Sequence, residues 1–261
     1  MKNIYPIVAL LLTLTLTACQ NGTRKVVEAN EKFINIDSTL DAIQDQQYVA
    51  ELQPLKQQLN EQLDGVICYA PQPLTIALPE CTMLNFATDA LFDMAVHFFN
   101  EHNKPALVDL AVVNRGGMRC EWTAGDITKR SVFELMPFDN KLVLITLTGQ
   151  DLIDLFNIFA QQGGQGVSRQ VRFVIAKNQQ GQAYAKNITI SGKPIEPQAV
   201  YYVATSDYLS TGTDNMTPLA KYIDKLDTGY LIRQLYIDYL QLLTANGKQL
   251  TPQLDGRITI E

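Results

Sequence analysis

The run from Ala106 to Val113 is apolar at every position except Asp109. Such a stretch reads as a strand largely buried on both faces, with no polar side to turn toward water. It delivers the chain into Asn114-Arg115-Gly116-Gly117-Met118-Arg119. Two adjacent glycines between an amide and a guanidinium point to main chain brought close to an anion, because Gly has no Cβ and tolerates positive φ. A second element closes in Met136-Pro137-Phe138-Asp139-Asn140, where a Phe after a Pro sits in a turn and is free to offer its ring face. A third segment, Ser206 to Asn215, adds Tyr208 and Asp214 on a loop that contains Gly212. A cation, two rings and a carboxylate are the groups needed to hold a nucleotide.

Around these segments the periodicity alternates between helix and strand. Leu52, Leu55, Leu59 and Leu63 give an amphipathic helix over 49–63, and Asp64-Gly65 stops it. Pro71 and Pro73 within 66–78, with Pro79 directly after, make that stretch edge strand or loop. A helical stripe from Phe86 to Phe98 predicts a helix from Met83 to about residues 100–103. Thr128 is placed to N-cap a short helix through Leu135, and 141–147 alternates as a strand. Thr148 opens a helix to about Gln162, which Gly163-Gly164 ends. Strands follow at 171–176, 187–190 and 201–205, then a helix over 229–243 and a last strand over 257–260. With no regular βαβ beat and no internal repeat, the expected fold class is α+β, a mixed β-sheet domain with packed helices.

Hydrophobic residues make up 46% and charged residues 18% of the 261 positions, which describes a globular chain. A formal net charge of −6 argues against nonspecific nucleic-acid binding, which needs a basic surface. It leaves room for a small anionic ligand in a locally positive pocket. The N-terminus has a short positive start and an apolar stretch from Ile4 to Leu16, too short and too Thr-interrupted to span a membrane. Leu16-Thr17-Ala18-Cys19 follows, similar to the lipobox of bacterial lipoproteins, in which the Cys is acylated. Residues 1–18 are therefore expected to be a signal peptide, 19–45 a tether with one strand-like piece at 32–36, and 46–261 the folded domain. Gln20 after Cys19 favours the outer membrane, with the chain facing the periplasm. Cys68, Cys81 and Cys120 remain, enough for one disulfide whose partners sequence does not choose. The two histidines, His97 and His102, lie five apart, do not share a helix face, and read as surface residues.

Taken together, the segments resemble the C-terminal domain of the 5′-nucleotidase family. Asn114-x-Gly-Gly-Met-Arg119 is similar to its N-x-G-G-I-R motif. Thr123–Thr128, Met136–Leu142 and Leu147–Gly149 follow in the family's order and spacing, Tyr208–Met216 resembles its F-L-A-x-G-G-D-G-F loop, and Asp255–Ile258 its ending. The likeness covers roughly residues 48–261. It implies that Phe138 and Tyr208 sandwich the base, Asp214 accepts from the ribose, Asn114 contacts the nucleoside, and Arg119 holds phosphate through its planar fork. Arg115, Gly116, Gly117 and Gly212 are secondary candidates. Each role has a plainer alternative: core packing for the rings, an Asx-turn for Asp214, a surface ion pair with Glu121 or Asp126 for Arg119, and solvent for Arg115. Departures from the pattern are Ala77 where a phosphate-binding Arg is frequent, Thr213 and Asn215 at Gly positions, and Met216 for an aromatic.

In that family a separate N-terminal metallophosphoesterase domain holds two metals that activate water. Its D-x-H and G-N-H-E motifs do not occur in this sequence, and the one Gly-Asp pair, Gly125-Asp126, lies within the Thr123–Thr128 segment of the C-terminal-domain pattern. The resemblance thus implies a nucleotide-recognition part, with no cofactor or catalytic residue on this chain, working beside a separately encoded metallophosphoesterase that carries divalent metals. The alternatives are a stand-alone nucleoside- or nucleotide-binding lipoprotein and a structural surface lipoprotein with a decayed pocket.

Overall fold

The computed structural model describes residue 31 and residues 33–35, 37–40, 45–102 and 107–261. The expected signal peptide, the lipidation site Cys19 and most of the tether lie outside these. Two units are distinguished, Met1–Leu52 and Gln53–Glu261. In the first, Phe33–Asn35 has no regular structure, so the strand-like piece expected there is not formed at its described positions, and Ser38–Leu40 makes one 3-10 turn. Helix α1 (Gln46–Leu63) runs from the first unit into the second, begins earlier than the leucine pattern indicates and buries none of its residues.

In the second unit β1 (Val66–Ala70) pairs antiparallel with β3 (Gly125–Thr128). The Gly125–Thr128 segment, read only as the approach to a cap, is thus also a strand. Thr128 does cap α3 (Lys129–Leu135), its hydroxyl accepting from Ser131 N while the Ser131 hydroxyl accepts from Thr128 N. The main sheet has the order β10-β4-β9-β2-β5. Its members are β2 (Leu110–Val113), β4 (Lys141–Thr148), β5 (Gly166–Val167), β9 (Val200–Ser206) and β10 (Asp224–Leu231). A second sheet, β11-β6-β7-β8, is built from β6 (Val171–Lys177), β7 (Ala183–Ile190), β8 (Lys193–Pro194) and β11 (Ile258–Ile260). β2 runs parallel to β9, while β4 and β10 are antiparallel to their neighbours, so the main sheet is mixed.

Two cores form because successive side chains of a strand point to opposite faces. Leu142 and Leu144 of β4, with Ala111 and Val113 of β2, face α2 (Thr82–Glu101), α3 and α5 (Ile232–Ala245). Val143, Ile145 and Leu147, with Leu110 and Val112, face α4 (Gly149–Gln161) and the second sheet. Helices on one side and a helix plus sheet on the other leave β2 no exposed face for a polar residue, which accounts for the apolar run Leu110–Val113; the strand expected from 106 begins only at Leu110, and Leu107 before it is exposed.

Three expectations need correction. The helix expected from Gly229 starts only at Ile232, because β10 continues to Leu231 through a register shift, with Gly229 at φ +75°. β7 starts at Ala183 rather than Asn187, and its central irregularity places Asn187 at φ +55° and hid the first half of the strand. The thiols of Cys68, Cys81 and Cys120 are all free.

Candidate functional site

Strand direction gathers the three sequence segments at one edge of the main sheet. β2 and β9 are parallel neighbours, so Asn114 after β2 and Tyr208 after β9 leave the sheet on the same side. β4 is antiparallel to β9, with Leu142 opposite Ser206, which brings the preceding Phe138–Asn140 turn to that side as well. Carboxyl ends of parallel strands are where sheets of this kind form crevices. Here they enclose a cleft of about 290 Å³ lined by Asn114, Gly116, Gly117, Arg119, Phe138, Asn140, Tyr208 and Asp214.

Both rings face this shared space and neither is a core residue: Phe138 is 37% and Tyr208 42% exposed. Arg233 holds the Phe138 turn from behind. Its guanidinium donates to Phe138 O at 3.3 Å and to Asp139 Oδ1 at 2.7 Å, and lies 4.2 Å from the Phe133 ring centroid. Tyr208 is fixed by Asp207, whose Oδ1 accepts from Tyr208 N and from Lys141 N, tying the loop to the start of β4. Thr211 and Thr213 donate their hydroxyls to Tyr208 O.

Asp214 has its carboxylate turned inward. Asn114 Nδ2 donates to its Oδ2 at 2.5 Å and Tyr208 OH to its Oδ1 at 3.0 Å. Its backbone is left-handed, φ +55°, a region Asp tolerates better than most side chains. The carboxylate therefore reaches across the cleft instead of closing an Asx-turn on its own loop. Arg119 forms no ion pair with Glu121 or Asp126. It donates to Gly116 O at 3.2 Å and lies 5.7 Å from the Phe138 centroid, while Glu121 Oε1 accepts from Ile76 N.

The double glycine has a more local reason than anion binding. A Cβ on Gly117 would come within 2.8 Å of Asn114 Oδ1, so Gly117 gives the Asn114 amide its place against Asp214. Arg115 and Gly212 are not among the lining residues. The Arg115 N–H donates to Gln165 Oε1, and Gly212, at φ +82°, ends the 3-10 turn Leu209–Thr211. Glu80 acts as a latch on the C-terminal segment. Its carboxylate accepts from Asn85 Nδ2, Asp255 N and Gly256 N, fastening the C-terminal segment.

Sequence reasoning missed three contributors. Asn140 lines the cleft, and its place beside the Pro-Phe motif was the available signal. Gln162 and Gln165 carried none, since their partners are distant in the chain. Gln165 Nε2 donates to Gln162 Oε1 and Gln162 Nε2 to Asp214 O, while Gln165 receives Arg115 N, so one relay spans both lips. Among the described residues, no three His, Cys, Asp or Glu side chains are placed to share a metal ion.

The family model described as 5′-nucleotidase, C-terminal domain, matches residues 66–221, more than half of the chain. The chain belongs to this family. The 5′-nucleotidase of Vibrio cholerae is 25% identical to it over 84% of the chain and 38% of that protein. Protein UshA of Escherichia coli is 30% identical over 51% of the chain and 24% of that protein. Among solved structures, the 5′-nucleotidase precursor from Thermus thermophilus superposes with a TM-score of 0.66 at 24% identity, over 82% of the chain and 42% of that structure. It shares the fold of this 5′-nucleotidase C-terminal domain. The chain spans well under half the length of each of these proteins.

Proposed function

We propose that this chain is the nucleotide-recognition part of a 5′-nucleotidase, presenting nucleotides to a separate metallophosphoesterase that removes the phosphate. The observation that carries the reading is the bridge from Asn114 and Tyr208 to Asp214, beside Phe138 and Arg119, in one open cleft. In this role the base stacks between the two rings, which suits any base because every base has a π-face. Asp214 exchanges one of its protein partners for a ribose hydroxyl. Arg119 donates its parallel N–H pair to phosphate, a geometry a lysine does not offer. The metals that polarise phosphate and activate water belong to the partner, consistent with a sequence in which neither D-x-H nor G-N-H-E occurs. The same reading anchors the chain through lipid on Cys19 at the bacterial outer membrane, facing the periplasm.

Two measurements test it. Calorimetry with AMP, UMP and adenosine on the purified chain should show binding that needs Phe138 and Tyr208. Mixing the chain with co-occurring metallophosphoesterases, divalent metal and AMP should release phosphate that neither protein releases alone. Binding without any such gain would leave a stand-alone nucleotide-binding lipoprotein. Absence of both would remove the nucleotide reading altogether.

A further inference from the structure

Helix α1 is eighteen residues long and has no buried residue. Most helical stability in proteins comes from the packing of an apolar face rather than from helix propensity, and the proline at position 54 lowers that propensity further. Tyr48, Leu52, Leu55 and Leu59 recur at spacings of four, three and four, the seam of a two-stranded coiled coil. Leu52, Leu55 and Leu59 are 58%, 58% and 53% exposed. The helix is fastened by a different flank: Arg130 donates to Asp64 Oδ1 at 2.5 Å and to Asn60 Oδ1 at 2.7 Å. With 3.6 residues per turn, Asn60 and Asp64 lie roughly 80–120° around the axis from Leu52. That attachment leaves the leucine seam open. Pro54 lies on the far side, roughly 200° from Leu52, so the Ala50 carbonyl that it leaves without a helical donor also faces away from the seam.

We propose that the seam is covered by a second copy of this chain, as a parallel, in-register two-helix coiled coil. The flanking charges choose the occupant. Glu51 and Lys56 border the seam on opposite sides, five residues apart, which is the offset that pairs flanking positions between parallel helices. Glu51 of each copy then meets the partner's Lys56, twice by symmetry. Within one chain these charges are not spent on each other. Among the described residues Lys56 takes part in no ion pair, and Glu51 accepts only from Gln47. Antiparallel pairing would match neither charge. A lipid surface fits poorly, because the helix carries Glu51 and Glu61 against a single Lys56, whereas membrane-lying helices are rich in Lys and Arg.

Disulfide trapping on the full chain tests the geometry. Leu52→Cys places a thiol at the two-fold seam and should give oxidised dimer faster than the parent chain, whose native cysteines are common to all variants. Gln57→Cys, on the outer face, should match the parent. Glu51→Lys should weaken self-association in sedimentation runs, and Glu51→Lys with Lys56→Glu should restore it, with circular dichroism confirming that each variant is folded. Equal trapping by Leu52→Cys and Gln57→Cys, or a monomer at every concentration, overturns the proposal. So does flotation with liposomes that depends on the leucines without dimer formation.

Discussion

Asn114 and Asp214, one hundred positions apart in the chain, are joined side chain to side chain across the mouth of the cleft. The contact exists because Gly117 lacks a Cβ, which would otherwise stand 2.8 Å from the Asn114 side-chain Oδ1. Gly117→Ala should therefore push the Asn114 amide away from Asp214 while leaving the fold intact. We expect nucleotide affinity to fall about tenfold, near the net value of one hydrogen bond to a charged group. Calorimetry against AMP reads this directly, and unchanged affinity would show that the amide is not part of the binding surface.

Phe138→Ala and Tyr208→Ala should each weaken nucleotide binding by ~1–3 kcal/mol, the usual contribution of one stacked base–aromatic contact. Tyr208→Phe separates the ring from its hydroxyl: it keeps the stack and loses only the bond to Asp214. Its affinity should lie between that of the parent and Tyr208→Ala. Ligand signals that survive both alanine variants would favour a decayed pocket.

The cleft was legible in the sequence to the extent that its parts sit in turns. Phe138 after a proline and Tyr208 before a glycine-containing stretch cannot easily be core residues, and both prove half-exposed. Leu142 to Leu147 is apolar except at Thr146, which marks a strand covered on both faces, and the two-residue period of the strand divides its side chains between the two cores. What could not be read depends on partners far along the chain. Gln162 and Gln165 look like surface amides until Asp214 and Arg115 arrive. The start of α5 was misplaced because Leu231 and Ile232 suit a helical stripe, while pairing of Leu231 with Lys141 keeps the first of them in β10. The leucines of α1 follow the helical period, yet period alone does not say whether the apolar face meets its own core.

Glu80→Ala should destabilise the domain without touching the cleft. It removes the acceptor for Asn85 and for the Asp255 and Gly256 amides, leaving the C-terminal segment and β11 poorly held. A loss on the order of 2 kcal/mol corresponds to a Tm lowered by about 4–8 °C for a domain of this size. Glu80→Gln should recover part of it, since its amide oxygen can still accept. Differential scanning calorimetry distinguishes the two.

Alkaline pH should act through Tyr239. Burial, with Asp93 and Asp89 adding to it, pushes this phenol up to about 12 from its ordinary value of 10.0. The unfolded chain therefore gives up the proton first, and stability from this group is complete below pH ~10 and lost as pH rises toward ~12. Tyr239→Phe should flatten denaturation midpoints across that window. A parent chain with the same flat profile would contradict the shift.

Cys19→Ser should abolish incorporation of labelled palmitate and release the chain from the membrane fraction, with nucleotide binding unchanged. Retention of label in the variant would refute acylation at Cys19.

The relay through Gln162 and Gln165 uses uncharged amides to set the spacing between the Arg115 and Asp214 loops. Neither amide titrates in the physiological range, and neither is weakened by dissolved ions as a pair of opposite charges would be. The gap between the loops is thereby insulated from the ionic strength of its surroundings. Added salt should act on an anionic ligand at Arg119, and leave the width of the opening as it was.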